Sequence, residues 1–171
     1  MKSTKNITFY FVDNDTDELD YFRENFKPKL NFNLLTFSSV QMFINKLKSE
    51  EKNKNFKIVV IDNIITSRGM NTRTALELIP PIKSMDKEIE IIIFADSENI
   101  ELKATSSNVK PAAFVKKDSQ YFIRLYPIIS RLISEYNLKK KQRSVKYTTV
   151  FVISIIIFVI LFLIINNYIL S

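Results

Sequence analysis

Charged side chains follow three separate apolar runs of this chain, and their types could support chemistry on a phosphoryl group. Asp13 follows the first run, Asp62 follows the third and Lys117 follows the fifth. Carboxylates that converge repel each other unless a cation neutralises them, and hard oxygen ligands of this kind suit Mg²⁺. A lysine beside them can pair with a carboxylate or with a phosphoryl oxygen. Together these residues predict an Mg²⁺-assisted site that accepts a phosphoryl group.

Each aspartate also has a plainer interpretation. An Asp that follows a strand commonly caps the next helix by accepting hydrogen bonds from its first amides. Asp13 and Asp15 both lie in the short segment between the first run and the next amphipathic stretch, so either could be such a cap. Two acids and a lysine on three strand ends are much less expected from capping alone, and it is this combination that predicts a site.

The elements that must position these residues are predicted from the apolar pattern. The runs alternate with amphipathic segments, which is typical of a parallel sheet covered by helices on both faces. The runs, each predicted to be a strand, are 7–12, 33–37, 58–61, 89–94 and 112–115. Ligands of such sheets bind at the carboxyl ends of the strands, near the point where the strand order reverses. Asp13, Asp62 and Lys117 are therefore expected to meet at one edge of the sheet.

Prolines bear on two of the predicted helices. A helix around 75–79 runs into Pro80 and Pro81, which should stop or distort it because neither residue can donate a backbone hydrogen bond. The last helix of the domain contains Pro127, which predicts a kink or a later start. Residues 66–74 are predicted to form a polar loop.

The composition excludes several classes of site. The chain has no cysteine and no histidine, so it can form no disulfide, no thiolate metal site and no imidazole general base. Its single glycine, Gly69, excludes the glycine-rich phosphate loops of the Walker and dinucleotide types. Any chemistry must use Asp, Glu, Lys, Ser, Thr or Tyr side chains.

The C-terminal part of the chain is predicted to be a membrane helix. Residues 147–165 carry no charged side chain, and the apolar character continues to residue 170. About 24 such residues make a helix of roughly 36 Å, which can cross a hydrocarbon core of about 30 Å. The alternative is a buried core helix, but a core helix of this length would normally show a polar face, and this segment has none.

A basic run precedes the apolar segment and predicts its orientation. The run consists of Lys139, Lys140, Lys141, Arg143 and Lys146. Lys and Arg are enriched on the cytoplasmic side of membrane spans, and clusters of them are attracted to anionic lipid. We expect the basic run to lie at the membrane surface and the N-terminal domain to lie in the cytoplasm. The predicted divisions are a domain at 1–136, a basic juxtamembrane linker at 137–146 and a transmembrane helix at 147–170.

Four stretches resemble segments of CheY-like response-regulator receiver domains of the Bacteroidetes type. Residues 9–22 resemble the first strand and its acidic turn, 58–83 the acceptor strand with the next helix, 88–101 the fourth strand and its turn, and 114–129 the fifth strand with its lysine. The resemblance covers roughly 6–134. It implies an α/β fold with a five-stranded parallel doubly wound sheet, flavodoxin-like in its order 2-1-3-4-5, joined here to one C-terminal transmembrane helix.

The resemblance also implies roles for individual residues. Asp62 would be the phosphoacceptor, Lys117 would contact the phosphoryl group, and Asp13, Asn14 and Asp62 would hold Mg²⁺. Asn14, however, stands where the family usually has a second metal-binding Asp, which should weaken metal binding. The customary glycine of the following helix is also replaced, by Ala75.

The switch positions implied by the resemblance are Ala95 and Phe114. Receivers usually carry a Thr or Ser hydroxyl at the first position, which binds the phosphoryl group and reports it. An aromatic residue at the second position then follows that movement. Because Ala95 has no hydroxyl, the ordinary switch is expected to be impaired.

The function implied is that of a membrane-anchored receiver protein in a two-component phosphorelay, and not of an enzyme. Its partners would be a sensor histidine kinase or a phosphotransfer protein, an unidentified protein target and membrane lipid, and its location the bacterial inner (cytoplasmic) membrane. No nucleic acid is expected, because no DNA-binding segment follows the receiver-like part. Output would pass by protein–protein contact.

Two alternatives stay open at this point. The chain could be a degenerate pseudo-receiver, a phosphorylation-independent docking module at the membrane, as Asn14 and Ala95 suggest. A more remote alternative is a haloacid-dehalogenase-like phosphatase, because Asp13 and Asp15 have the spacing of that class's first motif, with Ser97 and Lys117 as later motifs. That class needs a further acidic pair after its lysine, and the sequence offers only one nearby carboxylate there, Asp118.

Overall fold

The structure is a computed structural model and describes residues 7–26, 32–50, 53, 55–65, 73–95 and 110–170. The chain divides into two compact units, Met1–Ser130 and Arg131–Ser171. In chain order the elements are β1 (Ile7–Val12), α1 (Thr16–Asn25), β2 (Asn33–Phe37), α2 (Val40–Ser49), β3 (Phe56–Asp62), β4 (Ile64–Ile65), β5 (Arg73–Thr74), α3 (Ala75–Met85), β6 (Glu90–Ala95), β7 (Ala113–Lys116) and α4 (Tyr121–Leu170).

A five-stranded parallel sheet forms the centre of the first unit. Its spatial order is β2-β1-β3-β6-β7. Counted along the chain, these five strands stand in the order 2-1-3-4-5, so the predicted fold class is confirmed. The order reverses between β1 and β3, where the carboxyl ends of two buried strands lie side by side. In β3 every residue except the last is buried, as expected of a central strand that helices cover on both faces.

Aromatic rings fill one face of the sheet. Phe9 and Phe11 of β1 point to the same side because side chains alternate along a strand. Phe22 of α1 stacks on both of them, with ring centroids 4.0 Å from Phe11 and 5.9 Å from Phe9. Phe26 stacks on Phe9 at 4.7 Å, and Tyr121, the first residue of α4, lies 4.9 Å from Phe94 of β6. This aromatic layer holds α1 against the sheet.

Mainly aliphatic residues fill the other face. Tyr10, Val12, Val59, Ile61, Ile91 and Ile93 alternate with the residues of the aromatic layer and pack with Phe43 and Leu47 of α2 and Leu78, Ile79 and Ile82 of α3. Ser39 caps α2 by accepting a hydrogen bond from the amide of Met42 at 3.3 Å. Helices thus cover both faces of the sheet, and the polar residues of the predicted site lie at its carboxyl edge.

The prolines do not end the helices that contain them. We expected α3 to stop or distort at Pro80, but it continues to Met85 with Pro80 and Pro81 both exposed. The buried residues on either side of the prolines hold α3 on the sheet, and this packing outweighs the backbone hydrogen bonds that two prolines cannot donate. Of the two outcomes expected of Pro127, the later start is wrong, since α4 begins at Tyr121, and the kink stays a prediction.

A short antiparallel ribbon replaces part of the predicted polar loop. Ile64 pairs with Thr74 and Ile65 pairs with Arg73, so that β4 and β5 form a two-stranded sheet directly after β3. The amide of Ala75 then donates to the carbonyl of Asn63 at 2.9 Å, which connects the start of α3 to the end of β3. The sequence showed no alternation over these few residues, so the pairing could not be predicted.

The second unit is helical from Arg131 to Leu170. All side chains at 137–166 are exposed, including the whole uncharged stretch. In the part of the chain that is described, one helix is long and apolar enough to cross a membrane, and its most apolar stretch is unburied. This exposure argues against the alternative of a buried core helix, because most of a core helix would be buried inside the protein.

Candidate functional site at the carboxyl edge of the sheet

Backbone hydrogen bonds extend the sheet by one residue at its carboxyl edge. The amide of Asp13 donates to the carbonyl of Phe37 at 3.1 Å, and that of Asn63 donates to Phe94 at 2.9 Å. The amide of Lys117 lies 3.4 Å from the carbonyl of Ala95. Because these bonds hold the ends of the strands in place, the side chains at the carboxyl ends of β1, β3 and β7 leave the sheet at fixed positions.

The structure brings Asp13, Asp62 and Lys117 together at this edge. Lys117 Nζ donates to Asp13 Oδ2 at 2.7 Å and lies 3.7 Å from Asp62 Oδ1. One ammonium group thus lies between two carboxylates that the sequence separates by 49 positions. Two negative charges and one positive charge leave this edge with excess negative charge.

Burial differs among the three groups and indicates their roles. Asp13 is only 2% exposed, whereas the side chains of Asp62 and Lys117 are 18% and 21% exposed. Burial alone would lower the pKa of Lys117, but the hydrogen bond that Lys117 donates to Asp13 and the charges of Asp13, Asp62 and Glu18 outweigh it and raise that pKa. Lys117 therefore stays protonated at neutral pH, and Asp62 is the more accessible of the two carboxylates.

Asp15 acts as the helix cap. Its Oδ1 accepts from the amides of Asp17 at 2.9 Å and Glu18 at 3.4 Å, which are the first amides of α1. Its own amide donates to Asp13 Oδ1 at 2.9 Å. Both oxygens of Asp13 therefore have a donor. The capping interpretation holds for Asp15, the residue that the phosphatase alternative would need as its general acid, whereas Asp13 points to Lys117.

The donor set fits the magnesium ion that the sequence predicted. Asp13, Asn14 and Asp62 offer two carboxylates and one amide, which are all hard oxygen ligands of the kind Mg²⁺ accepts together with water. Asn14 is exposed. Over the described ranges no group of three or more acidic side chains is clustered closely enough to hold a metal ion by itself. Asn14 would therefore have to supply the third protein ligand.

The predicted switch positions lie on neighbouring strands. Ala95 is the last residue of β6 and is buried, and its partner in the sheet is Lys116. Phe114 of β7 is partly buried and packs against the aliphatic side of the sheet. Ser97, which the phosphatase alternative would use, lies outside the described residues.

Sequence reasoning missed two residues beside the site. Tyr121 donates its hydroxyl to Glu18 Oε1 at 2.8 Å and is 3% exposed. Burial, the hydrogen bond to Glu18 and the charge of Glu18 raise the pKa of Tyr121 above its usual range. The only signal in the sequence was the spacing of Asp15 and Glu18, which resembles a capping box and suggests a different partner for Glu18.

The basic run is fully exposed in the second unit. Lys139, Lys140, Lys141, Arg143 and Lys146 are all open to solvent. Lys140 Nζ lies 6.0 Å from the centre of the Tyr136 ring. Thr148 and Thr149, at the start of the apolar stretch, donate their hydroxyls to the carbonyls of Ser144 and Val145 at 3.0 Å. These bonds satisfy polar groups where the chain becomes apolar.

Comparison with solved structures gives a consistent answer for the fold. The signal receiver domain of an HD-domain-containing protein from Pseudomonas fluorescens Pf-5 aligns with a TM-score of 0.60 at 15% identity, over 80% of this chain and 96% of that one. A CheY-like response regulator receiver domain protein from Methanospirillum hungatei JF-1 aligns with a TM-score of 0.58 at 16% identity, over 76% and 96%.

A third structure, the BeF3-activated receiver domain of DrrB, aligns with a TM-score of 0.55 at 19% identity, over 74% of this chain and 97% of that one. No protein-family model matches the chain, and no curated protein sequence matches it. At these identities the likeness shows the fold. The chain has the receiver-domain fold, as the resemblance of its sequence implied.

Proposed function

We propose that this chain, which has the receiver fold, is a membrane-anchored receiver protein in which Asp62 accepts a phosphoryl group. The observation that supports this most directly is the position of the Lys117 ammonium, 2.7 Å from Asp13 and 3.7 Å from Asp62 at the carboxyl edge of the sheet. The Asp62 carboxylate is the more exposed of the two and is therefore the one that a phosphodonor can approach.

The reaction is a transfer between two carriers. A carboxylate oxygen of Asp62 attacks the phosphorus of a phosphohistidine on a kinase or phosphotransfer protein. An O–P bond forms and the N–P bond breaks, and the electron pair of the broken bond returns to the imidazole nitrogen. Lys117 orients Asp62 and neutralises charge on the phosphoryl oxygens. Mg²⁺, held by Asp13, Asn14 and Asp62, would supply further neutralisation of those oxygens.

The protein is consumed stoichiometrically in this reaction and does not act as an enzyme. Its output passes by contact with a protein target and involves no nucleic acid. A single pass of the 147–170 helix anchors the chain in the bacterial inner membrane, with residues 1–136 in the cytoplasm and the basic run at 137–146 against anionic lipid. The exposure of that helix and the charge of the run support this arrangement.

A second candidate is a pseudo-receiver that docks proteins without being phosphorylated. Ala95 favours it, because an alanine cannot report a phosphoryl group by hydrogen bonding, and Asn14 favours it by removing one metal-binding charge. The pairing of Lys117 with both carboxylates favours the first candidate, a receiver that is phosphorylated, because a docking module has no need of a cation beside Asp62.

Mass determination separates the two candidates. The full chain in detergent micelles is incubated with acetyl phosphate and Mg²⁺, and its intact mass is measured. We expect a gain of one phosphoryl group in the unmodified protein and none in Asp62→Asn. No gain in mass in either protein would contradict phosphorylation of the chain, and an equal gain in both would show that a residue other than Asp62 is phosphorylated. Turnover of a generic phosphate ester by the same sample would indicate a phosphatase.

Restoring the acidic residue at position 14 should strengthen the metal site. Asn14→Asp adds a third carboxylate to Asp13 and Asp62, and metal affinity rises with ligand charge. We expect tighter Mg²⁺ binding by titration calorimetry on the full chain. Asp17→Asn, a change at an exposed acid in the first turn of α1, is the control and should leave the affinity unchanged. Absence of Mg²⁺ binding in both the original and the Asn14→Asp protein would favour the pseudo-receiver.

A further inference from the structure

Glu18 and Tyr121 form a contact beside the site that none of the roles above explains. The two residues are 103 positions apart and are joined by a hydrogen bond of 2.8 Å. Glu18 lies in the first turn of α1, directly after the residues that follow β1. Tyr121 begins α4, four residues after Lys117. The bond thus connects the two segments that carry the two ends of the Lys117–Asp13 ion pair.

The local structure of α1 explains why Glu18 is available to Tyr121. An Asp at the N-cap with a Glu three residues later favours a capping box, in which the Glu accepts from the amide of the N-cap residue. Here that amide, of Asp15, donates to Asp13 Oδ1 instead. Glu18 is therefore released from capping and takes the hydroxyl of Tyr121 as its donor.

Three carboxylates compete for one cation at this edge. Asp13 and Asp62 lie 2.7 and 3.7 Å from Lys117 Nζ, and the negative charge of Glu18 also acts on Lys117. A flexible lysine pairs with whichever carboxylate is free to reach it. The Glu18 side chain accepts the hydroxyl of Tyr121 as a hydrogen-bond donor.

We propose that Tyr121 is a positioning residue, whose hydroxyl holds Glu18 away from Lys117 and so keeps the ammonium between Asp13 and Asp62. This role rests on the proposed function for its effect on phosphoryl transfer, but the ion pairing itself can be tested without phosphorylation. Without the hydroxyl, Glu18 would need a new donor and would draw Lys117 away from Asp13. Asp13, which is nearly fully buried, would then lose its cation.

A rescue experiment tests this role. The full chain in detergent micelles is prepared as Tyr121→Phe, Glu18→Gln and the double variant, and phosphorylation by acetyl phosphate is timed by intact mass. We expect Tyr121→Phe to be about tenfold slower, as for the loss of one hydrogen bond to a charged group. The double variant should recover the original rate to within about twofold, because it has no competing carboxylate. Tyr126→Phe, on the same helix, is the matched control.

The outcomes separate a positioning role from a merely structural one. A double variant as slow as Tyr121→Phe would contradict the proposal, because loss of packing is not repaired by a second loss. Glu18→Gln leaves the aromatic ring untouched and should react at the original rate. If Glu18→Gln lowered the phosphorylation rate as much as Tyr121→Phe, the proposal would also be contradicted. The hydrogen bond between Tyr121 and Glu18 would then be needed for its own sake, and not because it keeps the Glu18 charge away from Lys117.

A second measurement does not depend on phosphorylation. The side-chain carboxyl carbon of Asp13, observed by NMR in protein labelled at aspartate, reports whether Lys117 is paired with it. We expect its resonance to shift in Tyr121→Phe and to return in the double variant. An unshifted resonance in Tyr121→Phe would overturn the positioning role. If the original protein takes up no phosphoryl group, the proposed function fails, and this resonance still decides the role of Tyr121.

Discussion

At the scale of single residues, the Lys117 ammonium is the centre of the candidate site. It is the cation that two strand-end carboxylates share, and one of them, Asp13, is nearly without contact to water. A buried carboxylate is strongly destabilising when it loses its partner. Lys117 therefore contributes to the stability of the fold as well as to any phosphoryl chemistry at Asp62.

The stability provided by Lys117 should disappear at alkaline pH. Its pKa is raised above its usual value in the folded protein, so its contribution is complete at pH values below the unfolded-state pKa and is lost as the pH rises through the folded-state pKa. Lys117→Arg keeps its charge throughout this range. We expect the thermal midpoint of the original protein to fall by about 3 °C more than that of Lys117→Arg between neutral and strongly alkaline pH.

Circular dichroism on the full chain in micelles measures this difference. Tyr10 and Tyr121, whose pKa values burial raises, add an alkaline loss that both proteins share. Lys116→Arg, a change at the exposed neighbouring lysine, should follow the original protein. Parallel curves for Lys117→Arg and the original protein would show that the ion pair contributes nothing to stability.

The alanine at the end of β6 should limit any switch. A ligand shifts a two-state equilibrium only through its different affinity for the two states, and Ala95 offers no hydroxyl to a phosphoryl group. We expect beryllofluoride, a phosphoryl mimic, to change the amide chemical shifts around Phe114 only slightly. Ala95→Thr should enlarge these changes, with Ala95→Val as the control of similar shape. Large changes in the unmodified protein would show that the signal passes without the hydroxyl.

At the scale of elements, the aromatic layer on one side of the sheet determines where α1 lies. Phe22 is fully buried and stacks on two rings of β1 and on Phe26, the C-cap residue of α1. α1 carries the Asp15 cap and Glu18, so its position sets the geometry on one side of the site. The packing of Phe22 thus helps to position the residues of α1 that border the site.

Truncation of Phe22 should therefore destabilise the whole domain. Phe22→Ala removes a buried ring and leaves a cavity, which costs about 3–5 kcal/mol in a protein core. Tyr21→Ala, a change at the neighbouring half-exposed ring, should cost about 1 kcal/mol. Urea denaturation of the full chain in micelles measures both. Equal losses for the two variants would indicate that the aromatic layer is not tightly packed.

At the scale of the whole molecule, the chain combines a receiver-fold unit with an exposed apolar helix. A contiguous apolar surface of this extent is rare on proteins that are fully surrounded by water, and it indicates a membrane or a partner. The five positive charges of the basic run, next to the uncharged stretch, favour the membrane.

The orientation can be tested in cells. We expect protease added outside sealed spheroplasts to leave residues 1–146 intact, because a basic run beside an apolar span is typical of the cytoplasmic side. Detergent lysis before the digestion is the control and should expose the domain. Cleavage of the domain in sealed spheroplasts would reverse the predicted orientation, and release of the full chain by alkaline carbonate washing would argue against a membrane span.

The sequence by itself determined the features that depend on neighbours along the chain. The apolar runs predicted the five strands because burial on both faces requires continuous apolar residues. The alternation of strands with helices then indicated a parallel sheet. It predicted Asp13, Asp62 and Lys117 at a common edge, since parallel strands end on the same side of the sheet. The length of the apolar stretch at 147–165 was enough to recognise it as a candidate membrane span.

Only the tertiary structure decided the features that depend on contacts distant in sequence. Packing on both sides of Pro80 carried α3 past two prolines, although local propensity predicted a break. The β4–β5 ribbon needs the end of β3 and the start of α3 to be side by side. The bond between Glu18 and Tyr121 needs α1 and α4 on the same face of the sheet. None of these features leaves a periodic pattern in the sequence. Periodicity shows only which side of a single segment is buried, whereas each of these features depends on where the sheet places two separate segments.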